Sequence, residues 1–392
     1  MFLTSRRRWG LTAIVALAVL LVLPATATAE KGGDTVNTVV DVEFLGEAVV
    51  DSGTEFSGTV IGGLSSITYD RARGVYHAIS DDQGDRPSGD PVRYYSLTID
   101  LGDGTLDDGD VTFVDVKQIY ETAKMAFAPG GLDPEGLVLA REGQFYVSSE
   151  GKSPDLDPFI RRYNRNGVMT AEMPIPAKYL PGGGPDWGVR YNLGFESLNM
   201  TPDGRYLVTA GEDALFQDGP SATAANGSLA RILTFDARKR MPVSEYVYEV
   251  DPVAEPSPFF EVNGIVEVLP IDDVGTMLVL ERSYSVAGSL GGGTGNYIVL
   301  QEVSTDGATD VLDIDALYEG GSPIAFTPVT KTALFHFDDL GIPIDNIEGM
   351  TFGPDLPDGR KMLVIVSDDN FNDFGGAFTQ FIVLALEIEP AG

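Results

Sequence analysis

The chain has 392 residues, no cysteine and a formal net charge of −33. Disulfides, zinc–thiolate sites and cysteine nucleophiles are excluded. Nucleic acid and anionic membranes are disfavoured as partners, because their phosphates need a basic surface; a divalent cation, a cationic ligand or solubility outside the cell suits such a charge.

The chain opens on a targeting segment. Arg6, Arg7 and Arg8 precede an apolar run from Leu11 to Leu23, Pro24 breaks it, and Ala27-Thr28-Ala29 has the small-x-small pattern of a signal-peptidase site. The run is shorter than the roughly 20 residues of a membrane-spanning helix. Cleavage after Ala29 is expected. It leaves a secreted or periplasmic domain of residues 30–392, with no membrane insertion. Ser5-Arg6-Arg7-Arg8-Trp9 loosely resembles a twin-arginine signal, an alternative export route to plain positive charge.

Beyond residue 30 the chain reads as short β-rich runs between Gly, Pro, Asn and Asp, with Val39 to Val49 the first to alternate cleanly. A unit then recurs five times, at residues 63–82, 133–150, 192–213, 263–281 and 346–369. Each copy runs through a strand, turns, and ends a second strand in an acid: Asp81, Glu150, Glu212, Glu281 and Asp368. These acids lie 62 to 87 residues apart, and further strand-like runs follow most of them. Four strands per unit describe a β-propeller blade. The chain is therefore all-β, a single propeller of five blades. The run Val39 to Val49 supplies the outer strand that the last unit lacks and closes the ring. Thr309 to Ile314 reads as the fourth strand of the fourth blade and Thr332 to Leu340 as a short helix; six blades are the alternative if residues 304–345 hide another.

The first strand of each blade lines the channel, and its start lies beside the end of the second strand. The pairing then sets Ser65 or Ser66 beside Asp81, Glu135 beside Glu150, Glu196 beside Glu212, Asn263 beside Glu281 and Glu348 beside Asp368. All five pairs share one channel end. Carboxylates so crowded disfavour joint ionisation unless cations intervene. Six to eight hard oxygens are what Ca²⁺ takes, and Asn192, Asn346 and Asn370 can complete the shell. The expected cofactor is Ca²⁺, with Glu135, Glu196 and Glu348 as candidate catalytic carboxylates. The alternative is that these acids only cap strands. Arg190, Arg282, Lys152 and His77 lie next to channel positions. They are candidates for substrate binding or, equally, for ion pairing and core packing. With only His77 and His336 present, an ordinary zinc site is excluded.

Three motifs carry a resemblance. They are Asp133-Pro134-Glu135-Gly136-Leu137 with Ser149-Glu150, Asn192-x-Gly194-Phe195-Glu196-Ser197 with Glu212, and Asn346-Ile347-Glu348-Gly349 with Ser367-Asp368-Asp369-Asn370-Phe371. Together they resemble the exported bacterial phytase-like proteins, the "esterase-like activity of phytase" family, from about residue 60 to 389. The resemblance implies a propeller outside the cytoplasm and hydrolysis of phosphoesters, by similarity to calcium-dependent propeller phytases. Three functions are expected in competition. The first is a Ca²⁺-dependent phosphoesterase acting on a small molecule. The second is a calcium-stabilised module that binds an extracellular ligand without catalysis. The third is a lactonase or carboxylesterase with an apolar pocket from Trp187, Phe195 and Phe371. The protein is expected to act as a monomer.

Overall fold

In the computed structural model, residues 35–391 are described, apart from 124, 152–155, 185, 292 and 374. The expected signal peptide and Lys152 lie outside the described residues. Twenty strands fall into five antiparallel four-stranded sheets. Blade 1 is Leu64–Asp70, Val75–Ser80, Arg93–Ile99 and Val111–Gln118; blade 2 is Pro134–Leu139, Phe145–Ser149, Phe159–Tyr163 and Met169–Glu172. Blade 3 is Asn199–Met200, Tyr206–Ala210, Ser228–Asp236 and Met241–Val250; blade 4 is Glu261–Pro270, Thr276–Ser285, Asn296–Ser304 and Thr330–His336. Blade 5 is Asn346–Phe352, Lys361–Asp368 and Thr379–Pro390, completed by Asn37–Val50 from the chain's other end. The innermost strands of successive blades touch all the way round, so the sheets close into a five-bladed propeller.

Alternating apolar residues create the cohesion. Each blade turns Val, Ile, Leu and aromatic side chains to both neighbours, and five buried clusters result, one per blade junction. Between blades 5 and 1, for example, Phe381, Val383 and Val364 pack against Ile67, Ala78 and Tyr95.

Residues 304–345 depart from expectation. The fourth strand of blade 4 is Thr330–His336, not Thr309 to Ile314, and only a 3-10 turn, Phe337–Leu340, follows it. Thr309 to Ile314 leaves its own blade: Val311 donates its amide to the Glu245 carbonyl (2.8 Å) and buries its side chain against Val247 of blade 3. The excursion also carries a small ribbon, Tyr318–Glu319 with Ser322–Pro323, and builds no sixth blade.

The innermost strands share one irregularity. In blades 1, 2, 4 and 5 the ladder slips by one residue, opposite the second strand's last turns. The slip is a β-bulge that re-aims one side chain. The extra residue is Ser65, Glu135, Val266 or Glu348. In blades 2 and 5 a glycine follows it. A Cβ on Gly136 would lie 2.6 Å from the Leu198 amide nitrogen, and one on Gly349 would lie 2.7 Å from the Ser66 Cα. The Glu-Gly pair of the motifs therefore combines an aimed acid with a residue small enough for the next blade's backbone.

Candidate active site at the channel mouth

The bulges fix which residues meet. The amide of Glu150 bonds to Asp133, that of Glu212 to Gly194 and that of Asp81 to Gly63; Asp368 pairs with Asn346 and Arg282 with Gly264. These second-strand positions are equivalent around the ring. Four blades carry an acid there, and blade 4 carries an arginine.

This overturns the place expected for Glu281. It lies opposite Ile265, points away from the channel, and accepts hydrogen bonds from Tyr248 (2.5 Å), Asn263 (2.9 Å) and Lys331 (3.0 Å) at the junction of blades 3 and 4. Side chains alternate along a strand, so moving the register by one residue exchanges Glu281 for Arg282. Arg282 donates to Glu348 (2.6 Å), to Glu212 (3.0 Å) and to the Asn346 side-chain oxygen. Asn346 in turn donates to Glu348 (2.8 Å).

On the opposite side of the ring, carboxylate oxygens of Asp133, Glu135 and Glu150 all lie within 4.8 Å of one another, buried. Glu150 accepts from the Gly194 amide (3.2 Å), and the Gln83 amide donates to Asp133. One oxygen of Asp81 is buried without a hydrogen-bond partner. Burial, then mutual repulsion, pushes the carboxyls of Asp81, Glu135, Glu150, Glu196 and Asp368 well above the usual range. Burial also raises Glu212, to about 7, although Arg282 pulls it down. At neutral pH the ring must hold protons or a cation. An all-oxygen donor set with a buried unpaired oxygen fits a hard divalent ion such as Ca²⁺.

Other expected residues separate from the ring. Asn192 is exposed in a left-handed turn, and the half-buried Asn370, also left-handed, donates its amide to Asp368 (2.7 Å). Arg190 is committed to the carbonyls of Ala214 (2.9 Å) and Gly219 (2.6 Å) and stacks on Phe216, so it pins a loop rather than a substrate. His77 is buried two strand turns from Asp81. It bonds to Ser96 (2.9 Å), and burial lowers it to about 4, so it is a neutral core residue. Phe195 packs in the core against Tyr179 and cannot line an apolar pocket.

Three residues in or near the channel, Asp133, Arg86 and Glu267, were not given a site role from sequence. Asp133 was read as part of a motif but not as a ring acid. Arg86 lies 3.8 Å over the Phe371 ring, pairs with the exposed Asp373 (2.8 Å) and acts electrostatically on Asp81. Phe371 stands in a run of three left-handed residues, Asn370 to Asn372, anchored by Asp369. Glu267 follows the blade 4 bulge where blades 2 and 5 have glycine. Fully buried and raised to about 8, its carboxyl faces Met350 of blade 5 and Leu198 and Asn199 of blade 3.

Five blades around a buried, largely acidic ring at one mouth define a propeller whose channel end is built to hold charge. The chain belongs to the phytase-like family described as "Esterase-like activity of phytase", whose model matches residues 59–371. Over 142 residues it is 27% identical to an uncharacterised secreted protein of Arthroderma benhamiae, covering 30% of this chain and 27% of that protein. Among solved structures it is similar to a protein of unknown function from Dyadobacter fermentans (13% identity, TM-score 0.39, 89% of this chain and 100% of that one). It is also similar to an α-L-arabinofuranosidase from Podospora anserina (11% identity, TM-score 0.41, 89% and 98%).

Proposed function

We propose that this chain is an exported hydrolase of ester or phosphoester bonds in a small molecule, working at the acidic channel mouth with Ca²⁺. The observation that carries this reading is the convergence of Asp133, Glu135 and Glu150, whose buried carboxylate oxygens all lie within 4.8 Å of one another. These three, with Asp81, are the residues that would hold the ion. When bound, the ion would polarise the scissile group and activate a water. Glu196, kept protonated by burial beside Glu150 and Glu212, is the proton donor to the leaving oxygen and afterwards the base. Arg86, presented on Phe371 at the rim, orients an anionic part of the substrate; its partner Asp373 is half exposed and readily exchanged. Glu348 is held by Arg282 and is a positioning residue. The family match supports the hydrolase class, and the targeting segment and the secreted Arthroderma relative support export.

A second reading is favoured by burial. Glu135 and Glu196 are each only 7% exposed, as suits an ion that braces the propeller without catalysis. Calorimetry with CaCl₂ on residues 30–392, alongside turnover of p-nitrophenyl phosphate, phytate and p-nitrophenyl acetate, separates the two. The expected outcome is calcium binding, turnover of at least one substrate that chelation abolishes, and its loss by a factor of at least 100 in Glu196→Gln. Calcium binding that only raises the melting temperature selects the bracing ion. The absence of calcium binding removes both.

A further inference from the structure

At the end of the propeller opposite the acid ring, a groove of about 400 Å³ opens between blades 2 and 3. Its walls come from the first hairpin of blade 2 (Arg141, Gln144), the third strand of blade 2 (Arg162), and the outer hairpin of blade 3 (Arg238, Arg240), with Tyr146 at its base. Four arginines thus converge on one groove of a protein that carries 59 acids against 26 basic residues.

Such arginines would ordinarily be neutralised by that excess of acid, and here they are not. Among the described residues, none of the four is ion-paired to a carboxylate. Arg162 donates only to the Thr170 hydroxyl (3.3 Å) and Arg141 only to the Asp203 carbonyl (3.5 Å). The acids nearby are otherwise engaged or turned away. Asp236 accepts the amides of Arg238 (3.0 Å) and Lys239 (2.8 Å) and faces the Lys239 and Arg205 side chains; Asp203 caps its own turn; Glu142 is exposed on the hairpin crest. Tyr146, buried but for 3% of its surface, adds an aromatic wall to the groove.

An independent observation concerns Arg240. It has φ +54°, in the left-handed region, at the hairpin position where glycine is the unstrained choice. The hairpin thus presents the long cationic side chain of Arg240 at the groove from a backbone conformation that such side chains rarely adopt.

We propose that this groove is a binding site for a multiply charged oxyanion, a ligand bearing phosphate or carboxylate groups, read by Arg141, Arg162, Arg238 and Arg240. Planar guanidinium forks take such groups in paired hydrogen bonds, where lysines would act as point charges. The site is separate from the channel mouth and does not depend on calcium there.

The test is calorimetric titration of the calcium-free protein in low salt with tripolyphosphate and, separately, citrate. Binding of either supports the site, and the stronger of the two identifies phosphate or carboxylate as the preferred group. The double variant Arg162→Gln, Arg240→Gln should weaken it at least tenfold, and raising NaCl from 50 to 300 mM should weaken it several-fold. Arg360→Gln, on blade 5 and already paired with Glu43 and Asp358, should leave it unchanged. Arg240→Gly should weaken binding yet raise the melting temperature by about 2 °C, by relieving the left-handed strain. The proposal is overturned if neither anion binds, if Arg360→Gln abolishes binding while the double variant retains it, or if Arg240→Gly leaves affinity unchanged.

Discussion

Arg282 stands where four other blades carry an acid, and it brings a positive charge of the protein's own into the ring. Its guanidinium touches Glu212, Glu348 and Asn346, so blades 3 and 5 are compensated at that point. Removing one partner of a buried pair leaves the others uncompensated. Arg282→Gln should therefore cost about 3–5 kcal/mol in calcium-free buffer, read by urea denaturation, and CaCl₂ should recover part of the loss. Protons are the other source of compensation. Glu212 titrates at about 7 and Glu267 at about 8, above the ordinary carboxyl value, so the folded state binds protons that the unfolded state has released. The stabilising effect is complete below the unfolded value of about 4.3 and is lost as pH rises through 7 to 8, by up to about 1.4 kcal/mol per pH unit for each group. Calcium-free protein should melt lower at pH 8.5 than at pH 5.5, and Glu267→Gln should flatten that slope. An unchanged or rising melting temperature would contradict the raised carboxyls. At this scale the sequence was legible in part. The acids of blades 1, 2, 3 and 5 were found by alignment of repeats. Glu281 was chosen over Arg282 because it ends an apolar run in an acid as the other repeats do, whereas in blade 4 the second strand runs on and the equivalent position is one residue further along.

Among the elements, the excursion at residues 305–329 is held by a buried polar knot rather than by sheet pairing. Lys178 donates to Glu245 (2.9 Å) and to the carbonyls of Val311 (3.2 Å), Leu312 (2.6 Å) and Ile314 (2.9 Å). Arg231 bridges Glu245 and Asp218, and Asp218 accepts the Leu317 amide (2.8 Å). One lysine thus fastens three carbonyls of a segment that has little ladder of its own. Lys178→Met should cost about 3–5 kcal/mol, since it removes one cation from a buried carboxylate and leaves those three carbonyls without their donor, and limited proteolysis should then cut first within residues 305–329. Cutting elsewhere first would show that the knot does not anchor the segment. This element was misread from sequence for a physical reason. Leu312 and Ile314 alternate as a strand would, but the segment's partners lie in blade 3, over sixty residues back. In Thr330–His336, an edge strand half open to water, the apolar signal is too weak to override a helical spacing.

The whole molecule was the most legible level. Five spaced repeats, each a pair of strands ending in polar residues, leave few architectures besides a propeller, and the need to satisfy the last sheet's edge pointed to the strand from the other end of the chain. What no repeat announces is how close that arrangement brings the ends. Val36 and Ala391 share a backbone hydrogen bond of 2.8 Å, just beyond the last rungs of the ladder between Asn37–Val50 and Thr379–Pro390. Blade 5 is therefore a clasp fastened from both sides, and the earliest described strand waits for the latest before it has a partner. Closure is thus a pairing of high sequence separation, of the kind that slows folding. Topologically the finished ring has no preferred beginning: a short linker across that hydrogen bond would let the chain be opened at another hairpin, with blade 5 then assembled from contiguous sequence.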